Sequence, residues 1–147
     1  MMDLTLPQGV LDAEQRAALA DELTTALLRA ERAPDTELFR SITWVFVHEL
    51  PADDVIAAGR PVDKPIVRLE VTTPEGALSD RRRGEMVGDA TKLICEAAGI
   101  PAEEALNRVW VIHRAVPEGS WGAGGQVIEF QRLREMAAAE QSEKAPA

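Results

Sequence analysis

Cysteine and basic residues are both scarce in this sequence of 147 residues, which has one cysteine and 16 lysines and arginines against 25 acidic residues. The lone Cys95 excludes an internal disulfide framework, and its helical context favours a small buried hydrophobic side chain. The formal charge of -9 argues against a nucleic-acid partner, because phosphate recognition needs a basic surface. The densest basic run, residues 81–83, is interpreted as a solvated helix face.

Long apolar runs are also missing. No stretch approaches the ~20 apolar residues that a helix needs to cross a bilayer, so no membrane partner is expected. The first ten residues, MMDLTLPQGV, lack the basic segment and the apolar segment of a secretory signal peptide. We therefore expect a cytoplasmic protein, and the hydrophobic share of 46% is typical of an ordinary globular domain.

The most informative feature that is present is an internal repeat. Residues 3–11 (DLTLPQGVL) match residues 70–78 (EVTTPEGAL) in their acid, threonine, proline, glycine and leucine positions. After a slip of one residue, residues 44–60 (WVFVHELPADDVIAAGR) match residues 110–126 (WVIHRAVPEGSWGAGGQ). Nearly the whole chain is therefore two copies of one unit.

The repeat sets the expected domain organisation. We predict a single domain over residues 1–132, with a first repeat at 1–64 and a second at 65–132. The segment at 126–130 is predicted as a short strand followed by a helical turn or two. Residues 133–147 are predicted as a flexible C-terminal tail.

Each copy predicts a strand, a helix and a second strand. The first strands fall at residues 2–6 and 66–73, and the second strands at 42–50 and 108–116. Leucine, methionine and alanine residues recur at helical spacing between them. The helix-terminal signals are Asp12 with Gln15 in a capping box, Ser79 as an N-cap and Gly99 as a C-terminal glycine.

Strand–helix–strand units of this length form parallel, right-handed crossovers. We predict an α/β (α+β) fold in which the two tandem units join into one four-stranded mixed sheet, with both helices on one face. The other face would carry the apolar strand segments WVFV and VWVI. An oligomer is expected to cover that face, because so large an apolar patch is rarely left in water.

A glycine-rich run, VPEGSWGAGG at residues 116–125, follows the last long apolar strand. Together with the doubled unit and its PxG motifs, this run resembles the 4-oxalocrotonate tautomerase-like group of the tautomerase superfamily, in its fused two-repeat form. The resemblance covers roughly residues 1–130. It implies the tautomerase (β-α-β) fold and an isomerase that catalyses keto–enol proton transfer on a small carboxylate-bearing substrate, with no cofactor and no metal. It further implies a homo-oligomer, usually a trimer.

In that family an N-terminal proline amine moves the proton, arginines hold the substrate carboxylate, and an aromatic residue in the glycine loop lines the site. An uncharged amine suits this role because a general base works best with a pKa near ambient pH. Aligned on PxG, the proline would fall one position before Met1, and bulky Met2 should prevent removal of Met1. Two explanations stay open: the natural chain begins with a proline just upstream, or this protein lacks the proline.

The resemblance also supplies candidate site residues. The Met1 amine takes the place of the proline amine. Arg40 and Arg108 are the candidate catalytic arginines, because the family's own arginine positions hold other residues here. The residues expected to bind the substrate are Met2, Trp44, Trp110 and Trp121.

His48 and His113 are one residue out of step in the repeat, so strand alternation predicts that they lie on opposite faces of the sheet. A shared metal site is therefore not expected, and each is interpreted as a hydrogen-bonded structural histidine. Two further functions stay open for the chain. A catalytically degraded pseudoenzyme or oligomeric binding module would keep the fold without the base. Alternatively, the Met1 amine could form an imine with a carbonyl compound.

Overall fold

A computed structural model describes residues 1–143, which form a four-stranded sheet, two small hairpins and several helices. In chain order the elements are β1 (Met2–Pro7), α1 (Ala13–Glu31), α2 (Glu37–Ser41), β2 (Val45–Leu50), β3 (Ile56–Ala57), β4 (Arg60–Pro61), β5 (Val67–Pro74), α3 (Asp80–Ala98), α4 (Ala105–Arg108), β6 (Val109–Val116), β7 (Gly122–Ala123), β8 (Gln126–Val127) and α5 (Phe130–Glu143). Two short 3-10 turns lie at Ala52–Asp54 and Ala102–Glu104.

The sheet has the strand order β2-β1-β5-β6. The pairs β1–β2 and β5–β6 are parallel, as expected of two crossover units, and the central pair β1–β5 is antiparallel. This mixed sheet, with α1 and α3 on one face, confirms the predicted fold class. Because β1 and β5 run in opposite directions, the start of β1 lies at the same end of the sheet as the ends of β5 and β6.

The internal repeat is visible in the structure. Helices α1 and α3 are both 19 residues long and begin 67 positions apart, at residues 13 and 80. The hairpin β3–β4 of the first copy has its counterpart in β7–β8 of the second. The helix-terminal predictions are confirmed: Asp12 and Gln15 form a capping box, Ser79 caps α3, and Gly99 is left-handed with φ 63.

The hydrophobic core lies between the helices and the inner face of the sheet. Its strand residues alternate along β1 and β5, and they are Met2, Leu4, Leu6, Val67, Leu69 and Val71. Its helix residues recur at helical spacing, and they are Leu19, Leu23, Leu27, Met86, Ala90 and Ile94. Each fully buried large aliphatic side chain contributes roughly 1.5–3 kcal/mol, so this layer is the main source of the fold's stability.

The outer face of the sheet is apolar at both edges and charged in the middle. Its exposed apolar side chains are Trp44, Phe46 and Leu50 at one edge and Trp110 and Ile112 at the other. Between them, Asp3 pairs with His48 at 2.7 Å and Glu70 pairs with Arg114 at 2.9 Å. The chain itself leaves the apolar edges uncovered.

The two histidines lie on opposite faces, which confirms the prediction from strand alternation. His48 is on the outer face with Asp3, whereas the Nε2 atom of His113 lies 2.8 Å from the Thr73 hydroxyl on the helix side. Burial, with the Arg83 cation nearby, lowers the pKa of His113. Among residues 1–143, no three histidine, cysteine, aspartate or glutamate side chains converge as a metal-ligand set would.

After residue 129 the structure differs from the sequence prediction. A regular helix, α5, continues to Glu143 where a tail was expected from residue 133. Its half-buried residues recur at helical spacing, and they are Phe130, Leu133, Met136, Ala137 and Glu140. This stripe gives the segment a packing face despite its polar composition. Residues 144–147 of the predicted tail lie outside the described residues. No helix in the described part of the chain, α5 included, has the length and apolar content to cross a membrane.

Candidate functional site

The candidate site is built around the first residue of the chain. The Met1 amine donates a hydrogen bond to the Thr72 carbonyl at 3.0 Å, and the Thr72 N–H donates to the Met1 carbonyl at 2.9 Å. This reciprocal pair is set by the antiparallel register of β1 and β5. The amine is therefore fixed, half-buried, at the end of the sheet.

Burial is the main electrostatic influence on this amine. It lowers the pKa of the Met1 amine below its ordinary value, because desolvation penalises the charged form. The carboxylates of Glu31 and Asp3 act in the opposite direction. Burial also raises the pKa of the Glu31 carboxyl, against the opposing effects of the amine and Arg82. The amine and the Glu31 carboxyl thus influence each other's pKa, but they form no ion pair within 4 Å.

Glu31 and Arg82 lie at neighbouring helix ends. Glu31 is the last residue of α1, and Arg82 lies in the first turn of α3. The Arg82 guanidinium donates to the Ala30 carbonyl at 2.9 Å and to the Ser79 hydroxyl at 3.3 Å, so it ties the two helices together. Among residues 1–143, it forms no ion pair within 4 Å.

Neither Glu31 nor Arg82 was identified as a site residue from the sequence, in which Arg82 belongs to a basic run interpreted as a solvated helix face. A signal was nevertheless present. The helix dipole favours anions at the N-terminus and cations at the C-terminus. Glu31 in a last turn and Arg82 in a first turn both run against that preference, as do Arg81 and Arg83 beside Arg82.

The glycine-rich loop lies at the same end of the sheet as Met1. It follows β6, whose end is fixed beside β5 by the Glu75 N–H donating to the Val116 carbonyl at 2.8 Å. The β7–β8 turn uses Gly124 and Gly125 with φ 59 and 81, a pair of positive values that favours glycine. Trp121 stands half-buried in this loop, and its carbonyl accepts from the Ile128 N–H at 2.8 Å.

Helix α5 crosses this end of the molecule. At its start, the Phe130 N–H donates to the Glu118 carboxylate at 3.0 Å. Near its end, the Gln141 amide lies 3.5 Å from the carbonyl of Arg32, the residue after Glu31. The helix therefore runs from the glycine loop to the C-terminus of α1.

Several solved structures are similar to this chain over most of its length. No protein-family model matches the chain, and no curated protein matches it. A fused 4-OT, the F6 wild-type asymmetric trimer, has a TM-score of 0.71 at 23% identity over 92% of this chain and 97% of that one. N1, a member of the cis-3-chloroacrylic acid dehalogenase (cis-CaaD) family, has a TM-score of 0.76 at 23% identity over 99% and 92%. Pt0534 inactivated by 2-oxo-3-pentynoate has a TM-score of 0.72 at 25% identity over 86% and 94%.

This chain has the fold of the tautomerase superfamily.

In this tautomerase fold the two predicted arginines, Arg40 and Arg108, each form ion pairs with acidic residues of the same chain. Arg40 donates to Asp35 at 2.6 Å and to Asp21 at 2.8 Å. Arg108 pairs with Glu104 at 2.6 Å and donates to the Pro65 carbonyl at 2.9 Å. Pro65 precedes β5, whose start lies about 17 Å along the strand from the Met1–Thr72 pair. Within one chain of this fold, Arg108 and the Met1 amine are therefore at opposite ends of the sheet.

The predicted substrate-binding residues are also separated. Met2 is completely buried in the core, because strand alternation turns its side chain toward the helices. Trp44 lies beside the amine end, where its carbonyl accepts from the Met2 N–H at 2.8 Å, but its side chain is 59% exposed on the outer face. Trp110 pairs with Arg68, about 13 Å along β5 from Thr72. Of the three tryptophans, Trp121 and Trp44 share the amine end.

Proposed function

We propose that this chain is a tautomerase-like isomerase that catalyses keto–enol proton transfer on a small carboxylate-bearing substrate. The observation that carries the proposal is the half-buried Met1 amine, hydrogen-bonded to Thr72 at the end of the sheet. Because burial lowers the pKa of this amine, a larger share is neutral near pH 7 than for an exposed N-terminus. A neutral, positioned amine is a competent general base.

Arg82 is the arginine that we assign to the substrate carboxylate, in place of Arg40 and Arg108. Its two hydrogen bonds go to uncharged oxygens of Ala30 and Ser79, so its positive charge is not cancelled by an ion pair. A planar guanidinium binds carboxylates well, in two parallel hydrogen bonds where the geometry permits. Trp121 and the glycine loop would supply the apolar wall, and no cofactor takes part.

A homotrimer is part of the proposal. The fused 4-OT proteins F6 and Q0 form an asymmetric and a symmetric trimer, respectively. The outer face of this sheet carries exposed Trp44, Phe46, Trp110 and Ile112, which association with further copies would remove from water. We further propose a cytoplasmic location.

Two measurements test the proposed reaction. Purified protein, with its N-terminus defined by mass spectrometry, is assayed for ketonisation of phenylenolpyruvate, a small enol acid. The same protein is incubated with 2-oxo-3-pentynoate, which inactivates the relative Pt0534. We expect turnover above the uncatalysed rate, and loss of that turnover together with an adduct on the N-terminal peptide.

The matched control is a chain extended by Gly-Ser before Met1, which removes the amine from its position but leaves the fold intact. Equal turnover by the extended and unextended chains would contradict a role for the amine. If the natural N-terminus proves to be an upstream proline, the base is that proline and Met1 is an interior residue.

The second candidate function is a catalytically degraded oligomeric binding module. The observation that favours it is the engagement of Arg40 and Arg108 in intramolecular ion pairs. This candidate predicts stable oligomers with neither turnover of phenylenolpyruvate nor labelling by 2-oxo-3-pentynoate.

A further inference from the structure

Glu118 closes the glycine-rich loop with its side chain. Its carboxylate accepts a hydrogen bond from the Phe130 N–H at 3.0 Å, across 12 positions of the sequence. Phe130 is the first residue of α5, and the first N–H groups of a helix have no acceptor within the helix. Negative charge is also favoured at this end of a helix. The bond therefore joins residues 118–130 into a ring that contains the β7–β8 hairpin and Trp121.

Both ends of this ring are attached to the turn that follows β5. Near its start, the Glu75 N–H donates to the carbonyl of the last residue of β6 at 2.8 Å. At its end, the Phe130 ring lies against Gly76, because a Cβ atom placed on this glycine would be 3.7 Å from the ring. Glu75 is only three residues after Thr72, which holds the Met1 amine, so roughly 10 Å of extended chain separates them. The loop and the amine are thus connected through one strand.

The first copy of the repeat shows that such a loop folds on backbone hydrogen bonds. Its Val62 N–H donates to the Val55 carbonyl at 3.0 Å. In the second copy, at an offset of 66 positions (55 and 121), the Ile128 N–H donates to the Trp121 carbonyl at 2.8 Å. Both copies form a two-stranded hairpin inside this bond. The hairpin therefore does not require the carboxylate that closes the second loop.

The side-chain closure and the tryptophan occur in the same copy. At the same offset, Ala52 takes the place of Glu118 (52 and 118), and Val55 takes the place of Trp121. An alanine side chain has no acceptor atom, so the first loop cannot be closed in this way. The additional restraint accompanies the tryptophan and not the hairpin, which both copies form.

We propose that Glu118 is a positioning residue of the candidate site, which holds the glycine loop in the conformation that presents Trp121 to the substrate. The inference rests on the proposed function, in which Trp121 contributes to the apolar wall. Glu118 transfers no proton and does not touch the reacting atoms. It acts by restricting the loop before the substrate arrives, so that binding loses less conformational entropy.

The experiment is a double-mutant cycle on phenylenolpyruvate ketonisation, with the parent chain, Glu118→Ala, Trp121→Ala and the double variant. We expect Glu118→Ala to raise KM about 3-fold to 10-fold, the net effect of one lost hydrogen bond, while kcat changes much less. Trp121→Ala should also raise KM. In the Trp121→Ala background, Glu118→Ala should have no further effect on KM, because the residue that it positions is gone.

Two further variants and a second measurement separate positioning from a general effect. Glu118→Gln keeps a side-chain oxygen that can accept from the Phe130 N–H, so most of the parent KM should return. Glu129→Ala is the matched control, since Glu129 is exposed in the same loop and its side chain has no hydrogen bond or ion pair within residues 1–143. Amide hydrogen exchange of residues 118–130, followed by mass spectrometry, should be faster in Glu118→Ala than in the parent and unchanged in Glu129→Ala.

The outcomes distinguish this proposal from the proposed function. In an active parent, a Glu118→Ala variant with unchanged KM overturns the role of Glu118 alone. An equal rise of KM with and without Trp121 also overturns it, since a general structural effect does not depend on the tryptophan. Equal hydrogen exchange in the parent and Glu118→Ala overturns the closure of the loop, and this measurement needs no turnover. An inactive parent chain overturns the proposed function, and the positioning role of Glu118 with it.

Discussion

At the scale of single residues, charge placement carries the functional information in this chain. Arg40, Arg108 and Arg114 are each neutralised by acids of the same chain. Arg82 has only uncharged hydrogen-bond partners, and its charge opposes the rise in the pKa of Glu31 that burial causes. Arg82 differs from the other three arginines because it has no acidic ion-pair partner within 4 Å among residues 1–143. The residues next to each arginine in the sequence do not show this difference.

Arg82→Gln should weaken binding of the substrate carboxylate. A charge-assisted hydrogen bond contributes roughly 1.5–3 kcal/mol, so KM for phenylenolpyruvate should rise about 10-fold to 100-fold while kcat changes much less. Steady-state kinetics check this. The matched control is Arg81→Gln, because Arg81 is an exposed neighbour paired with Glu85 on the same helix. An equal rise of KM in both variants would show a general charge effect and contradict the assignment of Arg82.

The backbone of Ala58, in the first copy of the repeat, is strained. It has φ 53, in the left-handed region, where its counterpart in the second copy is Gly124. A non-glycine residue in this conformation costs about 1–2 kcal/mol of stability. Part of that cost is offset, because an unfolded chain with alanine at this position has less conformational entropy to lose than one with glycine. We expect Ala58→Gly to raise the free energy of unfolding by roughly 0.5–1 kcal/mol in urea titrations. Ala57→Gly, one residue earlier on β3, should lower it.

At the scale of elements, the antiparallel pair β1–β5 creates the site. It brings the start of the chain, the C-terminus of α1, the N-terminus of α3 and the glycine loop to one end of the sheet. Helix α5 then lies across that end, held near its start by Glu118 and near its C-terminal end by the carbonyl of Arg32. The site is therefore an assembly of element ends, and α5 runs between two of them.

Removing α5 should expose the amine. In a chain that ends at Glu129, we expect acetic anhydride to label the Met1 amine several-fold faster. Because burial is the main cause of the lowered pKa of the amine, that pKa should also move back toward its ordinary value. The pH dependence of labelling, followed by mass spectrometry of the N-terminal peptide, measures both effects. A chain lacking only residues 144–147 is the control, and unchanged labelling after removal of α5 would show that this helix does not cover the amine.

At the scale of the whole molecule, the outer face of the sheet determines how chains associate. Phe46 is 44% exposed, and its ring packs edge-on against Trp44 with centroids 6.2 Å apart. These residues lie outside the chain's own core, so changing them should leave the monomer fold intact.

Phe46→Lys should reduce the proposed trimer to smaller species without unfolding the chain, because it introduces a charge into the apolar edge of the covered face. Light scattering after size-exclusion chromatography measures the mass, and circular dichroism measures the fold. Val87→Lys is the control, since Val87 is 39% exposed on α3, which packs on the opposite face of the sheet. Equal masses for Phe46→Lys and the parent would place the interface elsewhere.

The sequence alone determined the repeat, the helix ends at Asp12, Ser79 and Gly99, the mixed sheet and its uncovered face. These features depend on local patterns, namely capping side chains, glycine conformation and apolar periodicity, which act within a few residues of each other. Only the tertiary structure decided the site. Arg82 donates to the carbonyl of Ala30, 52 positions away (30 and 82), because the antiparallel pairing of β1 with β5 brings the two helices together. The length of α5 was likewise missed, because its half-buried stripe gains a packing surface only once the rest of the chain has folded.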